Sequence, residues 1–160
     1  MIRKNYLTPD QAFQKLKHFC GYQERTHQEV KDKLYSLGLW KQDVETTLSK
    51  LIEEDYLNEE RFAKAFAGGK FRMKQWGRVK IIYEMKQKGI SAYCMKIGLR
   101  EIDQDEYEKT LRKLAEKKLA TLGGEKNGFT KKRKLMDYLL QKGYERDLCL
   151  AIINEQTRSK

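Results

Sequence analysis

Prolines, paired cysteines and long apolar runs are scarce in this sequence of 160 residues. The longest uninterrupted apolar run is Leu148–Ile153, which is far short of the ~20 residues that a membrane-spanning helix needs. No apolar segment follows the charged residues of Met1–Tyr6, as one would in a secretion signal. We therefore expect a cytoplasmic protein without a membrane span.

The cysteines Cys20, Cys94 and Cys149 are three in number and lie far apart in the sequence. An odd and widely spaced set does not form a disulfide framework. Each cysteine stands in an apolar helical context, so we expect three buried free thiols.

Motifs for catalysis and for metal binding are also missing. The sequence has no P-loop and no GxGxxG, GxSxG or HExxH motif. His18, Cys20 and His27 fit no common zinc spacing, and no fourth ligand lies nearby in the sequence. We expect no catalytic residue, no metal and no cofactor, and an enzyme with an unrecognised site is the third-ranked alternative.

Alternating β-branched runs, which predict strands, are absent as well, and Pro9 is the one proline. The stretches between the glycines are rich in Ala, Leu, Glu, Lys, Gln and Arg, the residues that lose least on entering a helix. Hydrophobic residues make up 39% and charged residues 36% of the chain, and so low an apolar share does not suit a spherical core. The composition predicts an all-α, elongated array.

Capping residues and glycines mark the ends of the expected helices. Thr8 and Thr26 are each followed at the third position by a Gln or a Glu, which is the pattern of a capping box, and so is Asp103. Asn58 and Ser91 are further caps, and glycines after apolar periodic runs predict helix ends. The predicted helices are 9–22, 26–37, 41–55, 58–73, 77–88, 91–101, 104–122, 130–142 and 145–156. We also expect a bend or break at Gly68-Gly69 and a mobile loop over 123–129.

A repeat of about fifty residues runs through the chain. Two apolar residues four positions apart precede a glycine in each of three places, and an apolar residue follows each glycine. The three sets are Val30-Leu34-Gly38, Ile81-Met85-Gly89 and Leu135-Leu139-Gly143. This pattern predicts three tandem three-helix units, over residues 1–55, 56–103 and 104–160.

Three sequence blocks resemble those of the RecX family of regulators. Residues 55–63, Asp-Tyr-Leu-Asn-Glu-Glu-Arg-Phe-Ala, are similar to the family's "gYLdDerFA" block, and 77–90 are similar to its "GxxxIxxELxxKGI" block. The first unit matches "RxxSxxELxxKLxxxG" more loosely, and residues 134–144 more loosely still. The resemblance implies an elongated, curved all-α protein of three three-helix repeats that binds the RecA–DNA filament and usually limits its growth and activity.

The net charge of +11 is uneven along the chain. It is zero over residues 1–55, +6 over 56–103 and +5 over 104–160. Such asymmetry favours an anionic partner over the last two units, and a solvated helical surface is the alternative. The candidate residues for binding a partner or nucleic acid are Lys70, Arg72, Lys74, Arg78, Lys80, Lys86, Lys131, Lys132, Arg133 and Lys134.

Our leading hypothesis is a monomeric regulatory protein that engages a RecA-type recombinase filament and touches protein and weakly bound or filament-associated DNA. The alternative is a stand-alone helical nucleic-acid-binding protein, with 77–88 or 130–142 as the reading helix. The two hypotheses differ in whether DNA affinity requires the recombinase.

Overall fold

The computed structural model describes residues 6–158. This part of the chain forms nine α-helices and no strand, which confirms the all-α prediction. Each helix begins and ends within two residues of its predicted bounds. The helices are α1 (Pro9–Tyr22), α2 (His27–Ser36), α3 (Lys41–Glu53), α4 (Glu59–Lys74), α5 (Arg78–Gln87), α6 (Ala92–Leu99), α7 (Gln104–Thr121), α8 (Gly128–Lys142) and α9 (Arg146–Thr157).

The predicted caps begin the helices, with two differences. Thr8 and Thr26 form complete capping boxes, whereas Asp103 accepts from the Glu106 N–H without a reciprocal bond. The prediction missed Asn127, whose side chain accepts from the N–H groups of Phe129 and Thr130 and begins α8 two residues early. An Asn can cap a helix alone, so no Glu or Gln at the third position is needed to signal it.

The three repeats end their second helix in the same way. Gly38, Gly89 and Gly143 have φ angles of +89°, +76° and +97°, in the left-handed region that glycine enters without a steric penalty. The six apolar residues that precede them are all 0% exposed, and the residues that follow, Leu39, Ile90 and Tyr144, are buried too. The repeated pattern in the sequence is therefore a repeated helix end that turns the chain back onto the core.

The expected break at Gly68-Gly69 does not occur, because α4 is continuous from Glu59 to Lys74. The small residues serve packing instead. Gly98 of α6 lies so close to α4 that a methyl group there would come within 2.6 Å of the Ala63 carbonyl oxygen. Buried Ala67 and Gly68 extend this thin face of α4, so the two helix backbones pack closely.

The buried apolar residues form two separate cores. One core contains residues of α1, α2 and α3 and ends at Leu57. The other runs without interruption from Phe62 to Ile153 and joins α4 through α9. The first unit is thus a small body of its own, whereas the second and third units share one interior.

Helices α5 and α8 meet end to end where the second and third units join. The N–H groups of Gly77 and Val79 donate to the carbonyl oxygens of Lys142 and Gly143, at 2.8 and 2.9 Å. Free N–H groups at a helix start and free carbonyls at a helix end normally need capping side chains or water. Here each end supplies the partners of the other, which fixes the angle between the two units.

The helical array has a large surface for its length. The chain exposes 10755 Å², whereas a compact monomer of this size is expected to expose about 8,400 Å². The excess agrees with the predicted elongated shape. No helix of residues 6–158 is both long enough and apolar enough to cross a bilayer.

Candidate partner and nucleic-acid interface

The side chains of four lysines and the backbone of a fifth gather where the second and third units meet, around two aromatic rings. The lysines come from four helices, α4, α5, α7 and α8, and the rings are those of Trp76 and Tyr138. We call this set the seam cluster. Its members are Lys70, Lys74, Lys80, Lys118, Lys142, Trp76 and Tyr138.

Trp76 is the centre of one half of the seam cluster. The Nζ atoms of Lys70 and Lys80 lie 5.1 and 4.6 Å from the centre of its ring, within the range of a cation–π interaction. The ring is half-buried between the end of α4 and the start of α5. It holds two ammonium groups in place while their outer faces stay in water.

The other half of the seam cluster belongs to the third unit. Lys118 Nζ lies 5.2 Å from the Tyr138 ring centre, and Lys142 Nζ donates to the Lys74 carbonyl oxygen at 3.4 Å. A cavity of 190 Å³ opens between the two halves and is lined by Trp76, Lys80, Tyr138, Gln141 and Lys142.

None of the five seam lysines has a carboxylate within 4.0 Å among residues 6–158. Their charges are therefore not neutralised by the rest of the described chain. Unpaired ammonium groups beside aromatic faces can contact phosphates and stacked bases, or a carboxylate-rich protein surface. The seam cluster has the chemistry of an anion-binding surface.

Arg78, which the sequence placed in the contact set, lies inside an internal network. Its guanidinium is 3.0 Å from a Glu145 carboxylate oxygen and 3.9 Å from the centre of the Tyr107 ring. The Tyr107 hydroxyl accepts from the Arg78 backbone N–H at 2.8 Å and donates to Glu145. Burial and the bond to Glu145 raise the pKa of Tyr107 far above its usual value, so the hydroxyl stays protonated and this network is structural.

Two other candidates point away from the seam cluster. Residues two positions apart on a helix differ by about 200° in direction, which puts Arg72 on the opposite side of α4 from Lys70 and Lys74. Its guanidinium instead folds back over Gly68. Lys86 is exposed on the far flank of α5 from Lys80.

The four basic residues at the start of α8 have different surroundings. Lys134 Nζ is 3.2 Å from Glu125, and hydrogen bonds from the Asn127 backbone and from Lys134 lower the pKa of that carboxyl. Arg133 is exposed to solvent. Lys131 and Lys132 line a cleft of 620 Å³ between α7, α8 and α9.

Sequence reasoning missed Lys118, Tyr138 and Lys142 as parts of the candidate interface, and it left Trp76 unexplained. These residues lie more than forty positions from Trp76 in the sequence, and only the packing of α8 against α5 brings them together. The sequence does contain one signal for Tyr138 and Lys142. Together with Lys131 they fall within about 40° of one another on a helical wheel of α8, so the three residues form one stripe on that helix.

Two models of one protein family match parts of this chain. Residues 58–99 match the family model described as the second three-helix domain of RecX. Residues 105–153 match the model of its third three-helix domain. The matched ranges lie inside the second and third predicted units and include every residue of the seam cluster.

Curated relatives and solved structures agree with the family models. Regulatory protein RecX of Clostridium perfringens is 33% identical over 137 residues, which is 85% of this chain, and the chain spans only 64% of that relative's length. Regulatory protein RecX of Amycolatopsis mediterranei is 27% identical over 95% of this chain and 89% of its own.

The crystal structure of RecX from Lactobacillus salivarius superimposes with a TM-score of 0.83 at 26% identity, over 92% of this chain and 95% of that one. Two successive family models, a relative of 33% identity and this structural match lead to one conclusion. The chain belongs to the RecX family.

Proposed function

We propose that this protein binds the filament that a RecA-type recombinase forms on DNA and inhibits the recombinase in recombination and DNA repair. The relatives from Clostridium perfringens and Amycolatopsis mediterranei are both named regulatory protein RecX, which supports a regulatory role. The electrostatic part of this proposal rests on the seam cluster, in which none of the five lysines forms an ion pair with a carboxylate of the described chain. In this proposal the chain acts as a monomer in the cytoplasm, where the filament forms, and performs no catalysis itself.

The shape of the molecule suits a long, grooved partner. A filament repeats the same surface along its axis, and an extended array can contact more than one subunit of it. The seam cluster lies where the second and third units join, so both units can hold protein while their lysines face DNA phosphates.

The test is the ATPase activity of a RecA-type recombinase on single-stranded DNA. The wild-type chain, added stoichiometrically, is expected to suppress ATP hydrolysis and strand exchange. A triple variant, Lys70→Gln with Lys80→Gln and Lys142→Gln, is expected to need at least tenfold more protein for the same effect. Its binding should also depend less on salt. The slope of the logarithm of the binding constant against the logarithm of the salt concentration should be smaller in magnitude by about two, because three phosphate contacts are lost.

A matched triple variant controls for charge alone. Lys15→Gln, Lys41→Gln and Lys113→Gln remove the same charge at exposed positions outside the seam cluster and are expected to inhibit like the wild type. The proposal fails if the wild-type protein leaves both ATP hydrolysis and strand exchange unchanged. It also fails in its electrostatic part if the two triple variants behave alike.

A stand-alone nucleic-acid binder is the second candidate, and one observation favours α8 over α5 as its reading helix. Base contacts come from the first turns of a recognition helix. The start of α5 abuts the end of α8, whereas the start of α8 presents basic side chains. Sequence-selective binding to duplex DNA without any recombinase would support this second candidate.

A further inference from the structure

The turn that carries Trp76 has a strained backbone. Gln75, which ends α4, has a φ angle of +58° and a ψ angle of +33°, in the left-handed region that favours glycine. A Cβ atom is sterically disfavoured there, a cost that Gly143 avoids at the end of α8. Such residues persist only where the surrounding structure fixes them, and they are frequent at binding sites. We therefore expect contacts beyond the bonds of α4 itself to hold Gln75.

Three hydrogen bonds join this turn to the third unit. The Tyr144 hydroxyl donates to the Gln75 carbonyl oxygen at 2.9 Å, and Lys142 Nζ donates to the Lys74 carbonyl oxygen at 3.4 Å. The Gly77 N–H donates to the Lys142 carbonyl oxygen at 2.8 Å. Tyr144 is only 1% exposed, so water has little access to its hydroxyl. Of the three bonds, the one from Tyr144 acts on Gln75 itself.

The packing of the repeat does not require this hydroxyl. In the first two units the residue after the helix-ending glycine is Leu39 or Ile90, which is buried and has no polar group in its side chain. Tyr144 occupies the same position in the third unit, and its ring fills the core with its centre 5.0 Å from that of Tyr107. The hydroxyl therefore adds a contact with the end of α4 that the equivalent residues cannot make.

The turn sets the place where two lysines of the seam cluster meet. The Trp76 N–H donates to the Lys70 carbonyl oxygen at 3.3 Å, and the Nζ atoms of Lys70 and Lys80 lie 5.1 and 4.6 Å from the centre of the Trp76 ring. Trp76 directly follows Gln75, so a change in the Gln75 backbone angles moves the ring. A displaced ring no longer draws the two ammonium groups together.

We infer that Tyr144 is a positioning residue for the seam cluster, because its hydroxyl holds Gln75 in the left-handed conformation that places the Trp76 ring between Lys70 and Lys80. Tyr144 is buried and acts through these residues without touching a ligand. The inference rests on the proposed function for what the lysines bind. The arrangement of the lysines, however, is a property of the chain alone and is measured without a ligand.

The first test measures the charge around the Trp76 ring in the full chain. With Trp40→Phe as the background, Trp76 is the one tryptophan of the sequence, and its fluorescence is quenched by iodide or by caesium at constant ionic strength. Two ammonium groups beside the ring attract iodide and repel caesium. The ratio of the iodide to the caesium quenching constant is expected to fall at least twofold in Tyr144→Phe, and also in the double variant Lys70→Gln and Lys80→Gln.

Ile153→Val is the matched control, because it removes a methyl group from the same core at a position that is also 1% exposed. Both Ile153→Val and Tyr144→Phe are expected to lower the melting temperature, but only Tyr144→Phe should change the quenching ratio. A role of the hydroxyl in stability alone would leave the ratio at its wild-type value in both variants, which would overturn the inference.

A second variant tests the route through Gln75. Glycine adopts a positive φ without a steric cost, so the turn should depend less on the tyrosine when glycine stands at position 75. Gln75→Gly added to Tyr144→Phe is expected to restore at least half of the lost quenching ratio. If it restores none, the hydroxyl does not act through Gln75 and the inference is wrong.

Binding to the recombinase filament on single-stranded DNA separates this inference from the proposed function. At a temperature where all the proteins are folded, Tyr144→Phe is expected to bind at least threefold more weakly than the wild type, and Ile153→Val to bind like it. If the wild type neither binds nor inhibits the recombinase, the proposed function fails, and the quenching ratio still decides whether Tyr144 positions the lysines. If the wild type binds and Tyr144→Phe binds equally well, the inference fails and the proposed function stands.

Discussion

The thiols of Cys20, Cys94 and Cys149 are free and buried, as the sequence predicted. Burial raises the pKa of each thiol, since the charged thiolate loses its hydration in the core. The effect is largest at Cys149, where the pKa rises from 9.0 to about 11. A thiol in this state is a small apolar group and does not react readily as a nucleophile.

This pKa shift predicts a loss of stability in alkali. The unfolded chain releases the Cys149 proton from about pH 9, whereas the folded chain keeps it until about pH 11. The contribution of the buried thiol is therefore complete below pH 9 and declines as the pH rises to 11, by roughly 1–2 kcal/mol. Urea unfolding of the wild type and of Cys149→Ala, at intervals from pH 8 to 11, measures it.

The difference between the two unfolding free energies isolates the thiol, because lysines and tyrosines titrate in both proteins. We expect the stability advantage of the wild type to shrink above pH 9. An advantage that stays constant up to pH 11 contradicts the assigned pKa.

At the scale of the helix, the abutment of α5 on α8 depends on glycine. A methyl group at Gly77 would lie 2.3 Å from the Gly143 carbonyl oxygen, and one at Gly143 would lie 2.2 Å from Lys80 Cβ. Both are far inside contact distance, so neither position has room for a side chain while the two helix ends stay bonded to each other.

Gly77→Ala is therefore expected to separate the two ends and to destabilise the protein by about 2–3 kcal/mol, as overpacking does in a core. Denaturant unfolding measures the loss. Gly69→Ala is the matched control: nothing lies within 4 Å of a Cβ there, and alanine should stabilise the interior of α4 by about 0.5–1 kcal/mol. Equal effects of the two substitutions would contradict the close contact at Gly77.

Helix limits and the repeat could be predicted from the sequence because their causes are local. A capping Thr, an apolar pair and a glycine act within one or two turns, and the structure places all three where the pattern indicated. The break predicted at Gly68-Gly69 is absent for the converse reason. Isolated glycines weaken a helix, but here the close approach of α6 stabilises α4 through tertiary packing, which no local pattern reports.

The two cores differ in size, and the chain passes from the smaller to the larger between Leu57 and Phe62. Asp55 has a φ of +63° at the end of the first unit. Arg61 links the units, with its guanidinium 2.6 Å from a Glu24 carboxylate oxygen and 3.3 Å from that of Asp55. It also donates to the Asp55 and Tyr56 carbonyl oxygens. One arginine thus ties the first unit to α4.

Arg61→Gln is expected to let the first unit open independently of the rest. Hydrogen exchange of residues 9–53 should become several-fold faster, in line with about 1 kcal/mol for a partly exposed ion-pair network. Exchange in the larger core, from Phe62 to Ile153, should not change. Arg112→Gln is the control: it breaks an ion pair with Glu155 within the third unit and should leave the hydrogen exchange of residues 9–53 unchanged. If Arg61→Gln accelerates exchange equally in both cores, the first unit does not open separately.

The candidate interface could be predicted only in part, because contacts between the second and third units decide which basic residues are available. Lys70, Lys74 and Lys80 were in the predicted set and belong to the seam cluster. Arg78 looked the same in the sequence, yet Glu145 and Tyr107, which bind it, come from the third unit. Charge in a sequence shows how many cations exist, while the contacts between units decide which of them are neutralised.

The hydrogen bonds between the ends of α5 and α8 also set a length. Because these two helix ends hold each other, Lys70 and Lys80 of the second unit stay at a constant separation from Lys118 and Lys142 of the third unit. A ligand that contacts both pairs must present its anionic groups at the matching distance. The first unit, which Arg61 links to α4, can change its orientation while the second and third units are bound.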